Sequence, residues 1–389
     1  MERAKAGKHR PPGETRRVTL SASGRSRTFF LVAFHAMALS APAQIPPASS
    51  SAMQILEKAS DGQPLFKGPV SVRCHPDGRL WVVDDLAHRV LMFDRTGRLE
   101  RTLGEYGSNP GQLMWPDAIH WDDRGDLYLA DTGANRIQVW DGNGAYLREF
   151  GRPPRWRGAL RPALGLVAMA LVVAAVAVFA RATSPQAGRP LLGATLIIAS
   201  VLAAGGWALC TFVLFNGLRN PRDVLVGPDG LVYVSDFGGD SVRVFTRGGA
   251  LIRSIGRSGN GTGELRKPLG LAISGDGKLL VADSGNHRVQ VFALDGTFIR
   301  TLGRRGSKPD ELESPHGLGI GPDGLLYVAD RGNRRVQVWT TEGRVLRTVT
   351  PEPGRSGPFA PAGLCLADDG RLVVVDLETH RVVIQTRDW

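Results

Sequence analysis

Six prolines open similar segments of this sequence, and the residues beside three of them are of types that could bind a ligand. Asp117, Arg222 and His316 each follow such a proline directly. A single imidazole cannot supply the three protein ligands of a typical catalytic zinc ion, and an adjacent arginine repels a cation held by carboxylates. We therefore predict no metal ion and no cofactor, but a site for a polar or charged ligand; the simpler alternative is a solvated surface. The candidate ligand-binding residues are Asp117, Asn220, Arg222, Asp223, Lys267 and His316.

An aspartate followed five residues later by an arginine recurs in five of the six segments. One such pair could belong to a catalytic site, but repetition at equivalent positions favours a charge-assisted tie that stabilises the same loop each time. The third segment has Ser241 in place of the arginine. We expect the same structural role for His88, His287 and His380, which precede three of the arginines. The pairs are Asp84 with Arg89, Asp131 with Arg136, Asp283 with Arg288, Asp330 with Arg335, and Asp376 with Arg381.

The six prolines mark an internal repeat. They lie at positions 69, 116, 221, 268, 315 and 361, so every spacing except one is 46 or 47 residues. The exceptional spacing of 105 residues contains an insertion of 58 residues. A glycine nine residues after each proline marks a two-strand turn, and apolar residues alternate before it. With two further strands after the arginine position, each segment predicts a four-stranded sheet.

The fifth segment closely resembles the NHL repeat. It contains Pro-x-Gly-Leu, then Pro-Asp-Gly-Leu-Leu-Tyr-Val-Ala-Asp, then Arg-Gly-Asn-Arg-Arg-Val-Gln-Val-Trp. The resemblance covers residues 69–151 and 221–389, and it implies an all-β fold, a six-bladed β-propeller of four-stranded blades. The sixth segment reaches Trp389 where its fourth strand would begin, so we expect residues 51–56 to close that blade.

The resemblance also implies where an enzyme site would lie. The residue after each opening proline is expected near the mouth of the central channel. Amidating lyases that share this fold bind zinc there through several histidines, of which only His316 has a counterpart here. Gluconolactonase-like propellers bind a divalent cation through carboxylates and amides, for which Asp117, Asn220 and Asp223 are candidates beside Arg222.

The family includes binding platforms, sensors and a few enzymes. We therefore expect a binding, sensing or scaffolding module; the alternative is a membrane-tethered, metal-dependent lyase or lactonase.

Two uncharged apolar runs within the insertion predict transmembrane helices at about residues 162–180 and 191–215. Each is long enough, at 1.5 Å per residue, to cross a hydrocarbon core of about 30 Å. The hairpin, residues 152–219, would interrupt the propeller between blades two and three and turn one propeller face toward the membrane.

Residues 1–43 combine a basic stretch, an apolar run and Ala41-Pro42-Ala43, which predicts an export signal or a short anchor, followed by a linker over 44–50. Residues 51–151 and 220–389 then form the propeller.

The distribution of charge limits the choice of partner. The formal net charge is +11, but residues 1–52 carry +6 and residues 152–219 carry +7, which leaves −2 for the propeller. This balance argues against a nucleic-acid partner and leaves the bilayer and an unidentified protein or small polar ligand. Three cysteines are too few for a disulfide framework or a RING-type zinc module.

The two signals for membrane orientation disagree. Arginines at the ends of the insertion favour a cytoplasmic propeller, whereas an export signal favours the opposite side. Because the first targeting element usually sets orientation, we predict an extracytoplasmic propeller, periplasmic or on the cell surface; the cytoplasmic orientation is the alternative.

Overall fold

The computed structural model describes residues 54–56, 63–152, 217–350 and 359–385. The predicted export signal, the linker and both predicted transmembrane helices lie outside these residues. Among the residues that are described, none belongs to a helix long and apolar enough to cross a membrane.

The described strands form six four-stranded antiparallel sheets, which confirms the all-β, six-bladed propeller. Each blade runs outward from a strand that begins at one of the repeat prolines. Blade one comprises β2 (Pro69–Cys74), β3 (Leu80–Asp84), β4 (Arg89–Phe93) and β5 (Leu99–Leu103). Blade two comprises β6 (Pro116–Trp121), β7 (Leu127–Asp131), β8 (Arg136–Trp140) and β9 (Tyr146–Phe150). Blade three comprises β10 (Pro221–Val226), β11 (Val232–Asp236), β12 (Ser241–Phe245) and β13 (Leu251–Ile255). Blade four comprises β14 (Pro268–Ile273), β15 (Lys278–Asp283), β16 (Arg288–Ala293) and β17 (Phe298–Leu302). Blade five comprises β18 (Pro315–Ile320), β19 (Leu326–Asp330), β20 (Arg335–Trp339) and β21 (Val345–Val349). Blade six comprises β22 (Pro361–Leu366), β23 (Leu372–Asp376) and β24 (Arg381–Gln385).

The ring is closed by both ends of the described chain. A short strand, β1 (Gln54–Leu56), pairs antiparallel with β24 and supplies the fourth strand of blade six. A disulfide between Cys74 on β2 and Cys365 on β22 joins blades one and six, with Cα atoms 5.8 Å apart. The number of cysteines did not predict this bond. Its two residues are 291 positions apart in sequence and meet only where the first and last blades adjoin.

The hydrophobic core lies between neighbouring blades. The second strand of every blade is almost wholly buried, since its two faces pack on the sheets on either side. This explains why these strands read as continuous apolar runs such as Leu-Trp-Val-Val rather than as an alternating pattern. Near the channel the innermost strands are in very close contact: a Cβ added to Gly363 would lie 2.5 Å from the Cα of Ser71.

The propeller has two distinct faces. We call the face where first strands begin and second strands end the insertion face, because the 152–219 insertion leaves the ring there. The backbone N–H of Leu218 donates to the Gly151 carbonyl at 2.8 Å, so the two described ends of the insertion are joined by a hydrogen bond. Leu218 is buried among the apolar side chains of blades two and three. The opposite face carries the Asp-Gly hairpin turns, and we call it the turn face.

Candidate functional site

The insertion-face mouth of the channel is a narrow cavity lined by the residues that follow the opening prolines. Asp117, Arg222 and His316 all line it, as the resemblance to NHL propellers implies, together with Asp223 and Arg73. The cavity measures about 30 Å³. That is room for one or two water molecules.

Asp117 and Arg222 form an ion pair across blades two and three. Arg222 Nη1 donates to Asp117 Oδ2 at 2.7 Å, and the Thr132 hydroxyl lies 3.1 Å from the same oxygen. Burial nevertheless raises the pKa of Asp117 to about 6, with the Arg222 guanidinium opposing the shift. Loss of solvation therefore outweighs the attraction of one partly exposed guanidinium.

Asp223 is held by a second ion pair, which joins blades one and three. Arg73 extends from blade one and donates through Nη2 to Asp223 Oδ1 at 2.7 Å, and through Nε to the Ile119 carbonyl of blade two. The backbone N–H groups of Val224 and Leu271 also donate to the Asp223 carboxylate, each at 2.9 Å. Asp223 thus links blades one, three and four, and its lone pairs are already engaged.

His316 lines the mouth on blade five, whereas Lys267, which precedes the proline of blade four, is exposed and does not line the cavity. Burial lowers the pKa of His316 to about 3, and the positive charges of Arg331 and Arg222 lower it further. The imidazole is therefore neutral at physiological pH. Lys267 Nζ lies 5.8 Å from the centre of the Phe237 ring, and the Arg222 guanidinium lies 5.0 Å from it. One aromatic ring consequently orients two of the predicted cationic residues.

Asn220 contributes through its backbone. Its N–H donates to Asn135 Oδ1 at 2.7 Å, whereas its own side-chain oxygen is buried without a hydrogen-bond partner among the described residues. This backbone contact recurs between other pairs of blades. In each case, the last residue of the loop between the second and third strands accepts a hydrogen bond through its side chain. The donor is the backbone N–H of the residue just before the opening proline of the next blade. His88 Nδ1 accepts from Trp115 in the same way, and His287 Nδ1 accepts from Ser314. These histidines tie neighbouring blades and do not converge on one site.

The repeated Asp-Arg pairs are ion pairs within single blades, and each aspartate is buried. The nitrogen-to-oxygen distances are 3.1, 2.6, 2.7, 2.8 and 3.3 Å for blades one, two, four, five and six. Each aspartate also accepts from backbone N–H groups before its blade's opening proline, for example from Met114 to Asp131 at 2.6 Å. In blade three, Ser241 carries no charge and cannot form the ion pair of the other blades. The positive charge of Arg243 acts on Asp236 instead. Burial still raises the pKa of Asp236 to about 6.

Several residues of the site were not predicted from the sequence. Arg73 lies four positions after its proline, where no other blade has an arginine, so the repeat gives no signal for a contact with blade three. Phe237 follows a conspicuous aspartate but has no aromatic counterpart in the other blades. Arginines of the outer strands form a further set of inter-blade contacts, such as Arg101 with the Asn143 carbonyl at 2.8 Å and Arg253 with the Leu294 carbonyl at 2.5 Å.

The carboxylates of the mouth do not fit a divalent cation. Asp117 Oδ2 is occupied by Arg222, and Asp223 by Arg73 and two backbone donors. A cation would have to displace two arginines that already neutralise these carboxylates. No three His, Cys, Asp or Glu side chains in the described part of the chain are grouped so that they could hold a metal ion.

Comparison with known proteins identifies the repeat and the fold. Residues 265–292, 312–339 and 360–384 match the NHL repeat. A stretch of 88 residues, 22% of this chain, is 28% identical to the protein brain tumor of Drosophila melanogaster, of which it covers only 8%.

Similar solved structures share the propeller at low sequence identity. A streptogramin B lyase superposes with a TM-score of 0.53 at 13% identity, covering 86% of this chain and 97% of its own. A putative gluconolactonase gives 0.54 at 16% identity, with 87% and 93% covered, and a luciferin-regenerating enzyme gives 0.52 at 14%, with 87% and 95% covered. At these identities the likeness concerns the fold alone.

Proposed function

We propose that this propeller of NHL repeats is a membrane-anchored binding, sensing or scaffolding module rather than an enzyme. The observation that carries the proposal is the state of the channel mouth: its charged side chains pair with one another, and they leave a cavity of about 30 Å³. Recognition would then take place on exposed surfaces and at the rim of the mouth. Lys267 and His316, together with the partly exposed Arg222, are the groups available at the rim to a small polar ligand, whereas a protein would bind the other exposed surfaces.

Membrane anchoring is supported by the place of the insertion in the fold. Residues 162–180 and 191–215 are uncharged and long enough to span a bilayer. The hydrogen bond between Leu218 and Gly151 lets the sequence between them leave the propeller without separating blades two and three. Because its two ends are held together by this hydrogen bond, the insertion can serve as an anchor without disrupting the packing of blades two and three.

An extracytoplasmic location is supported by the disulfide between Cys74 and Cys365. Structural disulfides persist in oxidising compartments and are rare in the reducing cytosol. This agrees with the predicted export signal and opposes the arginine-based signal for a cytoplasmic propeller. The bond thus favours a periplasmic or cell-surface propeller.

The enzyme alternative has one argument in its favour, since several structures with the same fold are described as a lyase or a lactonase. A metal assay separates the two functions. We would purify the full chain in detergent and measure bound zinc and calcium, with Asp117→Ala and His316→Ala as test variants and Asp94→Ala on the turn face as control. The binding module predicts substoichiometric metal in all four proteins. Stoichiometric metal that is lost in the two test variants and kept in the control would overturn the proposal.

A further inference from the structure

The two faces of the propeller differ in charge. Outside the strands, the described loops of the insertion face carry eleven Lys or Arg against eight Asp or Glu, whereas the loops of the turn face carry seven against thirteen. The turn-face acids are largely explained by folding, because an aspartate at the start of a tight turn accepts backbone N–H groups, as Asp94 does from Thr96 and Arg98. No comparable turn chemistry requires the basic excess on the insertion face.

The basic excess is concentrated between blades three and five. Four of the five acids there pair with arginines: Glu264 with Arg257, Asp310 and Glu311 with Arg304, and Glu313 with Arg305. The fifth, Asp240, accepts hydrogen bonds from the Ser258 hydroxyl and the Lys267 backbone N–H. This pairing leaves four exposed cations without a carboxylate partner in the described part of the chain. They are Arg266, Lys267, Lys308 and Arg331.

The other side of the same face carries exposed apolar and aromatic side chains. Leu86 is 54% exposed, Tyr106 is 61% exposed and Trp115 is 45% exposed. Tyr106 and Trp115 both pack against the His88 ring, with centroid distances of 4.6 and 5.7 Å, so they form one cluster at the junction of blades one and two. Tyrosine and tryptophan are the residues enriched where proteins meet the headgroup region of a bilayer.

We propose that the insertion face is a docking surface for an anionic bilayer, a proposal that rests on the membrane anchoring proposed above. The cluster of Tyr106 and Trp115, together with the exposed Leu86 of the same face, would enter the interfacial region, and the four unpaired cations would contact lipid phosphates. Three independent features agree on this occupant: the charge difference between the faces, the aromatic cluster, and the departure of two membrane-length apolar runs from this face at Gly151 and Leu218. The propeller would then lie flat on the membrane rather than hang from it by a flexible connection.

Hydrogen–deuterium exchange on the reconstituted full chain tests this proposal. The chain would be placed in nanodiscs of phosphatidylcholine alone or of phosphatidylcholine mixed with phosphatidylglycerol. Docking predicts slower exchange over residues 104–115, 256–267 and 303–314 when the anionic lipid is present, and unchanged exchange in the turn-face loops 122–126 and 340–344. High salt should remove the difference, since it screens the attraction.

Charge-reversal variants identify the residues responsible. Lys267→Glu combined with Arg331→Glu should abolish the effect of phosphatidylglycerol, whereas Arg98→Glu combined with Arg344→Glu, the matched change on the turn face, should leave it intact. Trp115→Ala should reduce protection of residues 104–115 in both lipid mixtures. Equal exchange in both lipids, or protection of the turn face, would overturn the docking proposal.

Flotation of the same proteins with liposomes separates this proposal from the anchor. A chain that floats with neutral liposomes but shows no lipid-dependent protection is anchored without docking, so only the present inference fails. A chain that does not float with neutral liposomes contradicts the anchor itself. Binding of RNA to the basic side, with no effect of anionic lipid, would assign the surface to a different partner and also overturn docking.

Discussion

At the scale of single residues, the mouth of the channel holds charges in an environment that opposes ionisation. Asp117 is 8% exposed, and its folded-state pKa of about 6 lies above the ordinary value of 3.8. The folded protein therefore binds the proton more tightly than the unfolded chain. The stabilisation that this gives is complete below about pH 4 and is lost as the pH rises through 6.

Asp117→Asn removes this titration. We expect the variant to gain stability relative to the parent as the pH rises from 4 to 7, by a total on the order of 3 kcal/mol, because two pKa units correspond to roughly that free energy. Chemical denaturation of both proteins in detergent across this range measures the difference.

Asp94→Asn is the matched control for this titration. A hydrogen bond from Thr96 lowers the pKa of Asp94, so its stabilising effect is present at neutral pH and is lost on acidification. The stability deficit of this variant should therefore shrink as the pH falls. A stability difference between Asp117→Asn and the parent that does not change with pH would contradict the account of the mouth.

Asp223→Ala should be destabilising because it leaves Arg73, whose side chain is only 14% exposed, without its counter-charge. We expect the free energy of unfolding to fall by about 3–5 kcal/mol, the usual cost of breaking a buried ion pair. Adding Arg73→Met to this variant should recover part of the loss, which a double-mutant cycle in urea would measure. Strictly additive effects of the two substitutions would mean that the pair does not connect the blades energetically.

The sequence predicted the site only in part, and the reason is geometric. Asp117, Arg222 and His316 occupy equivalent positions on the innermost strands of their blades, and such positions in a closed ring converge on the channel. Arg73 escaped prediction because its partner is two blades away, and such a contact exists only once the ring has closed. Asp223 was predicted as a ligand-binding residue, but its carboxylate is saturated by Arg73 and two backbone donors.

At the scale of the blade, the third repeat shows how one missing residue is replaced. In blades two, four and five a glutamine two positions after the arginine donates to the buried aspartate, as Gln138 does to Asp131 at 3.0 Å. Blade three has Arg243 at this glutamine position and Ser241 at the arginine position. The cation has therefore moved by two residues along β12, which keeps it on the same side of the strand.

Arg243→Gln should destabilise the protein at neutral pH, since it removes a positive charge whose attraction favours the ionised form of the buried Asp236. The double variant Ser241→Arg, Arg243→Gln restores the arrangement of the other blades and should regain most of the loss. Thermal unfolding of the parent, the single variant and the double variant measures this. A double variant no more stable than Arg243→Gln alone would show that the two positions are not interchangeable.

At the scale of the whole molecule, the ring is closed by strand pairing and by a covalent bond. The repeat spacing, the turn glycines and the alternation of apolar residues predicted the six blades, because each blade is a local unit with its own pattern. The disulfide could not be predicted in this way. Cys74 and Cys365 become neighbours only through the meeting of the first and last blades, and no pattern within one repeat records that contact.

Cys365→Ala should lower the free energy of unfolding by about 2–4 kcal/mol, because the lost bond no longer restricts the unfolded chain. Dithiothreitol should lower the stability of the parent by a similar amount and should have no effect on the variant. Cys210→Ser, which changes the third cysteine, is the control and should keep the sensitivity to reductant. A parent protein insensitive to dithiothreitol, with a free thiol at Cys74, would contradict covalent closure of the ring.

The central claim, a membrane-anchored propeller outside the cytoplasm, is tested most directly by its topology. Alkaline phosphatase, which is active only after export, or a fluorescent protein that reports the cytoplasm, would be fused after Trp389 in a bacterial host. We predict phosphatase activity in the membrane fraction and no fluorescence. Fluorescence without phosphatase activity would place the propeller in the cytoplasm and contradict both the export signal and the disulfide-based argument.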